Sequence, residues 1–177
     1  MTLDPRLQDL LDHHEIRTLL GTYCHACDRG DEAMMAACYT GADSWDDHGL
    51  VKASGPEYAA IMTTRVLQRT EAASHILGQS LIRVTGDSAV AETFFVGFFR
   101  IAGEEDEPAR INQLIGRFVD ELERREGGWK IWRRTCVRDT SITSAVTRDD
   151  YAAFGFVEAR RDGEDLGAAL LGLAHRS

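Results

Sequence analysis

The stretch SAVAETFFVGFFRIAGEEDEPARINQLIGRFVDELERREGGWKIWRRTCVRDT, Ser88 to Thr140, decides the fold. It holds three long runs suited to strands, 88–101, 110–125 and 129–140, the first carrying Phe94, Phe95, Phe98 and Phe99. Between them lie the polar turn Gly103-Glu104-Glu105-Asp106-Glu107-Pro108 and the pair Gly127-Gly128. Another run, Ile76 to Val84, comes just before and is closed by Thr85-Gly86-Asp87. Long consecutive strands joined by short turns predict an antiparallel meander rather than βαβ units.

Upstream the texture is helical. Asp4 can cap a first helix with Pro5 in its first turn, and Arg29-Gly30 should end it just after Asp28. Ile16, Leu20, Tyr23 and Cys27 step by three and four, so they share one face of that helix. A short second helix follows at Asp31 to Cys38. A short strand containing Trp45 lies between Gly41 and Gly49, and Gly55-Pro56 opens a third helix reaching about Arg69. From Thr147 a helical tail is expected, with Leu166 to Leu173 as its weak apolar stretch and Phe154 and Phe156 packing it down. No repeat or linker divides the chain. One α+β domain over residues 1–177 is expected, its core at about 8–145 and its tail at about 147–175.

The 177 residues suffice for one sizeable core, and 44% apolar with 28% charged residues is an ordinary globular composition. A net charge of -9 repels phosphate backbones and anionic lipid, which argues against nucleic acid and membrane as partners. No apolar run approaches the roughly 20 residues of a membrane span. The first residues, MTLDPRLQDLL, lack the basic start and apolar stretch of a signal peptide, so a cytoplasmic location is expected.

Asp28 stands where the apolar face of the first helix ends. A carboxylate there calls for a partner or a reaction, and His75, in Ser74-His75, is the expected partner. Cys24-His25-Ala26-Cys27 lies inside a helix with no second ligand pair, so these thiols read as packing residues rather than a redox or zinc motif. His13, His14 and His25 read as exposed, and no convergent set of metal ligands is visible. Asp46, Asp47 and His48 beside Gly49 have the composition of a solvated turn, although they could approach the site. On the last strand, parity separates Arg133 from Arg134 and Arg138.

The order of these pieces resembles the SnoaL-like branch of the nuclear transport factor 2-like superfamily over roughly residues 8 to 145. The pieces are Ile16…Tyr23…Asp28, the Asp43-Ser44-Trp45-Asp46-Asp47-His48-Gly49 strand, Ser74-His75, Gly116-Arg117-Phe118-Val119-Asp120, and Gly128-Trp129-Lys130-Ile131 followed by Arg138. The resemblance implies a cone-shaped α+β barrel, with N-terminal helices packed in the concavity of a curved, mostly antiparallel sheet. It also implies similarity to cofactor-free lyases: scytalone dehydratases, hexachlorocyclohexane dehydrochlorinases and bile-acid 7α-dehydratases. By that resemblance Asp28 falls on the catalytic aspartate and His75 on the histidine. Tyr23 and Arg138 match a tyrosine and an arginine of the bile-acid enzyme, and Trp45 matches a cavity tryptophan. That enzyme's second acid falls near Gly97, so here it is missing.

The expected activity is therefore that of a cofactor-independent dehydratase, dehydrohalogenase or isomerase. It would need no metal and act on a small hydrophobic cyclic molecule in an internal cavity. Asp28, His75, Tyr23 and Arg138 are the catalytic candidates; Trp45, His48, Phe95, Phe99 and Leu20 are those for substrate binding. Polyketide-type cyclisation is an alternative. So is a non-catalytic module like the small subunit of a ring-hydroxylating dioxygenase. Phenylalanines on both parities of Ser88 to Ile101 also point to self-association, and the resemblance suggests dimers or trimers.

Overall fold

Asp4 and Gly30 bracket the first helix. In the computed structural model, which describes residues 3–162 and 164–173, α1 runs Pro5–Arg29. The Asp4 side chain accepts from the Arg6 N–H at 2.8 Å. Gly30 closes the helix at φ 69°, a left-handed conformation that costs glycine nothing. α2 (Glu32–Ala37) is capped by Asp31, and α3 (Gly55–Ile61) opens with a Ser54/Glu57 capping box. α3 runs on through a π turn at Met62–Val66 and a 3-10 turn at Leu67–Arg69, so the helical stretch reaches Arg69 as expected.

Six strands form one sheet: β1 (Trp45–Asp47), β2 (Lys52–Ala53), β3 (Thr70–Thr85), β4 (Ser88–Ile101), β5 (Arg110–Arg125) and β6 (Gly128–Ala145). Their order is β2-β1-β6-β5-β4-β3, antiparallel throughout except that β1 runs parallel to β6. The sheet is curved and unclosed, and the fold is α+β. Register shifts at Leu77/Ser80, Ile115/Gly116 and Glu121/Leu122 bend it. At Gly116 a Cβ would stand 2.2 Å from the Val137 carbonyl oxygen, so only glycine permits that approach.

Alternation along the strands separates two faces. Ala89, Ala91, Thr93 and Phe95 of β4 point inward with Phe118, Asp120 and Leu122 of β5 and Ile131 and Arg134 of β6. The apolar ones meet Ile16, Leu20, Tyr23 and Cys27 of α1 in one core. Each fully buried Leu or Phe there contributes about 1.5–3 kcal/mol. The opposite parity leaves Ile76, Leu81, Val90, Phe98, Val119 and Ile142 exposed.

Two expectations need correction. β3 begins at Thr70, because Thr70 to His75 pair with Gly97 to Ile101 despite their mixed polarity. The tail is largely irregular: among its described residues only Leu166–Leu170 forms a helix, α4, and the end of the expected tail helix beyond 173 lies outside them. Gly155, at φ 70°, interrupts any helix there. Tyr151, Phe154 and Phe156 cluster with one another at 5.4 to 6.5 Å between ring centres, and all three stay exposed. Among the described residues no helix is long and apolar enough to cross a membrane.

Candidate active site

Asp28 and His75 come from different elements, the last turn of α1 and the first half of β3. The Asp28 carboxylate makes two bonds to the same residue. Oδ1 stands 2.7 Å from His75 Nδ1, and Oδ2 accepts the His75 backbone N–H at 2.9 Å. Both side chains are about nine-tenths buried. A carboxylate can only accept, so in the neutral ring the proton sits on Nδ1 and Nε2 is left basic.

Aromatic rings surround the imidazole. Phe99 meets it edge-on at 5.4 Å, Phe95 lies at 5.9 Å and Phe118 at 6.5 Å. Phe95 and Phe118 are themselves stacked at 4.2 Å. Gly97 is the cross-strand partner of His75. A Cβ at position 97 would stand 2.8 Å from the Phe99 ring and 3.7 Å from the His75 ring, so the Phe99 ring fills the space an acid at 97 would use.

Behind this wall lies a polar interior that the sequence reading largely missed. Arg134 is wholly buried and donates from Nε and Nη2 to both oxygens of Asp120, at 2.7 and 2.8 Å. Burial works against its charge, but Asp120 outweighs this and holds the guanidinium protonated. The guanidinium also lies over the rings of Tyr23 and Phe118 at 4.1 and 4.2 Å. Parity had grouped Arg134 with Arg138; the alternation Phe118, Asp120, Leu122 was the signal that its partner also faces inward. Tyr23 is buried, its hydroxyl 3.5 Å from that of Tyr58, and burial pushes its ionisation well up.

The expected solvated turn at Asp46 to His48 is instead a second carboxylate–imidazole pair. Asp46 is fully buried and takes the Tyr39 hydroxyl and His48 Nδ1. The His48 ring stacks on Tyr58 at 4.6 Å and tilts against Phe118 at 6.0 Å. His48 thus reaches the ring cluster that touches His75. Trp45 does not. On a three-residue strand the alternation that sends Asp46 inward turns Trp45 out, and it is 45% exposed instead of lining a cavity. Arg138 is exposed too, donating to Ser141 Oγ at 3.4 Å, so the inward arginine of that strand is Arg134. Leu20 is buried in the α1 core and borders a cleft of about 410 Å³ beside the β3 bulge at Leu77 to Ser80. Burial pushes the Cys24 thiol up to about 12 and Cys27 well upward, unsuited to thiolate chemistry.

A family model described as a SnoaL-like domain matches residues 8–135. Among solved structures, hexachlorocyclohexane dehydrochlorinase LinA-type3 from Novosphingobium barchaimii LL02 superposes with a TM-score of 0.68 at 18% identity, covering 86% of this chain and 99% of that one. A protein from Novosphingobium aromaticivorans named as a candidate scytalone dehydratase gives 0.65 at 19% identity, over 85% and 97% of the two chains. One from the same organism, named as a candidate aromatic ring hydroxylase, gives 0.66 at 25% identity, over 77% and 94%. The first two likenesses are of fold alone. No curated protein matches the sequence.

Proposed function

This chain belongs to the SnoaL-like family, and from that premise we propose that it is a cofactor-independent lyase or isomerase acting on a small, hydrophobic, cyclic molecule. One observation carries the reading: Asp28 commits both carboxylate oxygens to His75, one to the ring and one to the backbone. In this reading His75 Nε2 takes a proton from a carbon beside a leaving group. The electrons of that C–H bond form the new double bond. The leaving group departs with its own bonding pair, as halide, or as hydroxide that gains a proton and becomes water. Asp28 fixes the ring and stabilises the imidazolium, the orienting role of the acid in a catalytic triad, here without a nucleophile. The Tyr23 hydroxyl, kept protonated by burial, is the candidate donor to the departing group. With a carbonyl in place of the leaving group, the same base serves double-bond migration or polyketide-type cyclisation. Phe95 and Phe99 form the apolar wall beside the base, and Leu20 and His48 complete the proposed binding set.

The test is a panel of cyclic hydroxyketones, halogenated cyclohexanes and steroid-like enones, watched for loss of water or halide and for double-bond migration. His75→Ala should remove turnover, by roughly a hundredfold or more. Wild-type turnover by that variant would sink the proposal.

We keep as a second reading a non-catalytic module like the small subunit of a ring-hydroxylating dioxygenase; a structure named as a candidate aromatic ring hydroxylase shares the fold at 25% identity. Stable co-purification with an oxygenase large subunit, together with an inert panel, would decide for it. Under either reading we propose homo-oligomerisation through the outer sheet face, where Leu81, Ile76, Val90 and Ile142 are all more than half exposed. Sedimentation should show a dimer or trimer that Leu81→Glu weakens.

A further inference from the structure

Arg161 joins the two elements that supply the Asp28–His75 pair. It lies in the C-terminal segment, outside the residues 8–135 that match the family model. Its Nε donates to the Asp28 carbonyl oxygen at 3.0 Å, and its Nη1 donates to the carbonyl oxygen of Thr70, the first residue of β3. The last carbonyls of a helix have no partner within it. Those of Ala26 and Cys27 are taken by Gly30 and Asp31, whereas the carbonyl of Asp28 goes to Arg161. The Arg161 stem packs over the end of α1: a Cβ on Gly30 would stand 3.6 Å from Arg161 Cδ. A second tie lies next to the first. Asp165 stands 3.7 Å from Arg29 Nη1 and caps α4 by accepting from Gly167 and Ala168.

We propose that Arg161 is a positioning residue for the Asp28–His75 pair, stapling the end of α1 to the start of β3 so that carboxylate and imidazole keep their register. The guanidinium fork suits the task, because one rigid group can serve two carbonyls at a fixed separation. The proposal rests on the functional reading above only in calling the pair functional; the geometry it explains exists either way.

The test is amide hydrogen exchange by NMR on the full chain, which needs no substrate. The His75 amide, bonded to Asp28 Oδ2, reports on the pair. Arg161→Ala should speed its exchange about tenfold or more, the scale expected when a charge-assisted bond is lost. Amides of Phe95 and Phe118 should keep their protection, showing that the sheet is intact. Arg161→Lys should recover only part, since one ammonium lacks the fork. Asp165→Asn loosens the tail but keeps the staple, and should leave the His75 amide protected. If Arg161→Ala speeds only Gly167, Ala168 and Ala169 and leaves His75 unchanged, Arg161 merely anchors the tail and the proposal fails. With a substrate in hand, Arg161→Ala should lower kcat about tenfold while KM stays within about twofold, the mark of misplacement rather than lost binding. An active His75→Ala would refute the base and leave the exchange result standing, so the two failures are distinguishable.

Discussion

Asp28–His75 and Asp46–His48 are two carboxylate–imidazole pairs built in opposite ways. The first spans 47 residues and joins a helix end to a strand; the second closes within two residues at the end of β1. Asp28 gives both oxygens to one histidine. Asp46 divides its oxygens between His48 and the Tyr39 hydroxyl. His48 lies flat on Tyr58, whereas His75 meets the edge of Phe99. A carboxylate spent on one imidazole orients that imidazole. A carboxylate shared with a buried tyrosine ties β1 to the segment after α2, where Tyr39 also bridges to Ile131 of β6. The same two residue types therefore serve orientation in one place and structure in the other.

The largest expected effect tests the orienting pair. Asp28→Asn should leave a folded protein with a misoriented ring, lowering kcat by about a hundredfold to ten-thousandfold. Combined with His75→Ala it should cost little more than His75→Ala alone, because groups that act as a unit are not additive. Additive losses measured on the active substrate would break the pair apart.

Asp46→Asn should do the reverse. Its activity should fall by well under the hundredfold that marks loss of an acid–base group. Its stability should drop by about 1–3 kcal/mol, since Asp46, wholly enclosed where Asp28 keeps some exposure, loses the charge that strengthens both of its bonds. Urea unfolding of both aspartate variants, set against their kcat values, gives the comparison directly. If Asp46→Asn is the less active of the two, the roles assigned to the pairs are exchanged.

A smaller effect concerns access. Phe99→Ala removes the ring edge beside His75 and should speed diethylpyrocarbonate modification of His75 severalfold, with His48 unchanged under its Tyr58 stack. Equal acceleration at both histidines would mean general loosening rather than local opening.

The smallest expected effect is set by pH at the other end of α1. Asp12 is buried and accepts from Arg124, Gln8 and Trp129. Burial alone would raise its pKa, but these donors together hold it below the ordinary 3.8. A carboxyl depressed in the folded state adds stability that is fully present above its unfolded value, near pH 4, and is lost as pH falls through the folded one. Asp12→Asn should therefore flatten the acid limb of the stability–pH curve below about pH 4 and lower stability above it. An unchanged acid limb would show that Asp12 contributes nothing.

Much of this molecule was legible in the chain. Long runs bounded by Thr85-Gly86-Asp87, Gly103 to Pro108 and Gly127-Gly128 gave β4 and β5 their limits, because turn chemistry is local. Asp4 and Gly30 set the ends of α1 by the same locality. Asp28 showed as a carboxylate ending an apolar face, His75 was its expected partner, and the family resemblance pointed to the same two residues. Trp45 and Asp46 misled, because the resemblance put the indole in the cavity and composition read Asp46 as solvated, while the inward parity belongs to Asp46. The tail misled as well, since helix propensity says nothing of what a segment packs against.

The sequence by itself determined the three N-terminal helices, the four long strands, their order, the meander and the two histidines worth weighing, all of which depend on neighbours a few residues apart or on a family pattern. Only the tertiary structure decided which parity of each strand faces the concavity, and with it the burial of Asp46 and the Asp120–Arg134 pair. It also decided that Arg161, 133 residues after Asp28, reaches that residue's carbonyl. The physical reason is that a buried charge is tolerated only where partners from distant segments converge on it, and that convergence is a property of the folded chain.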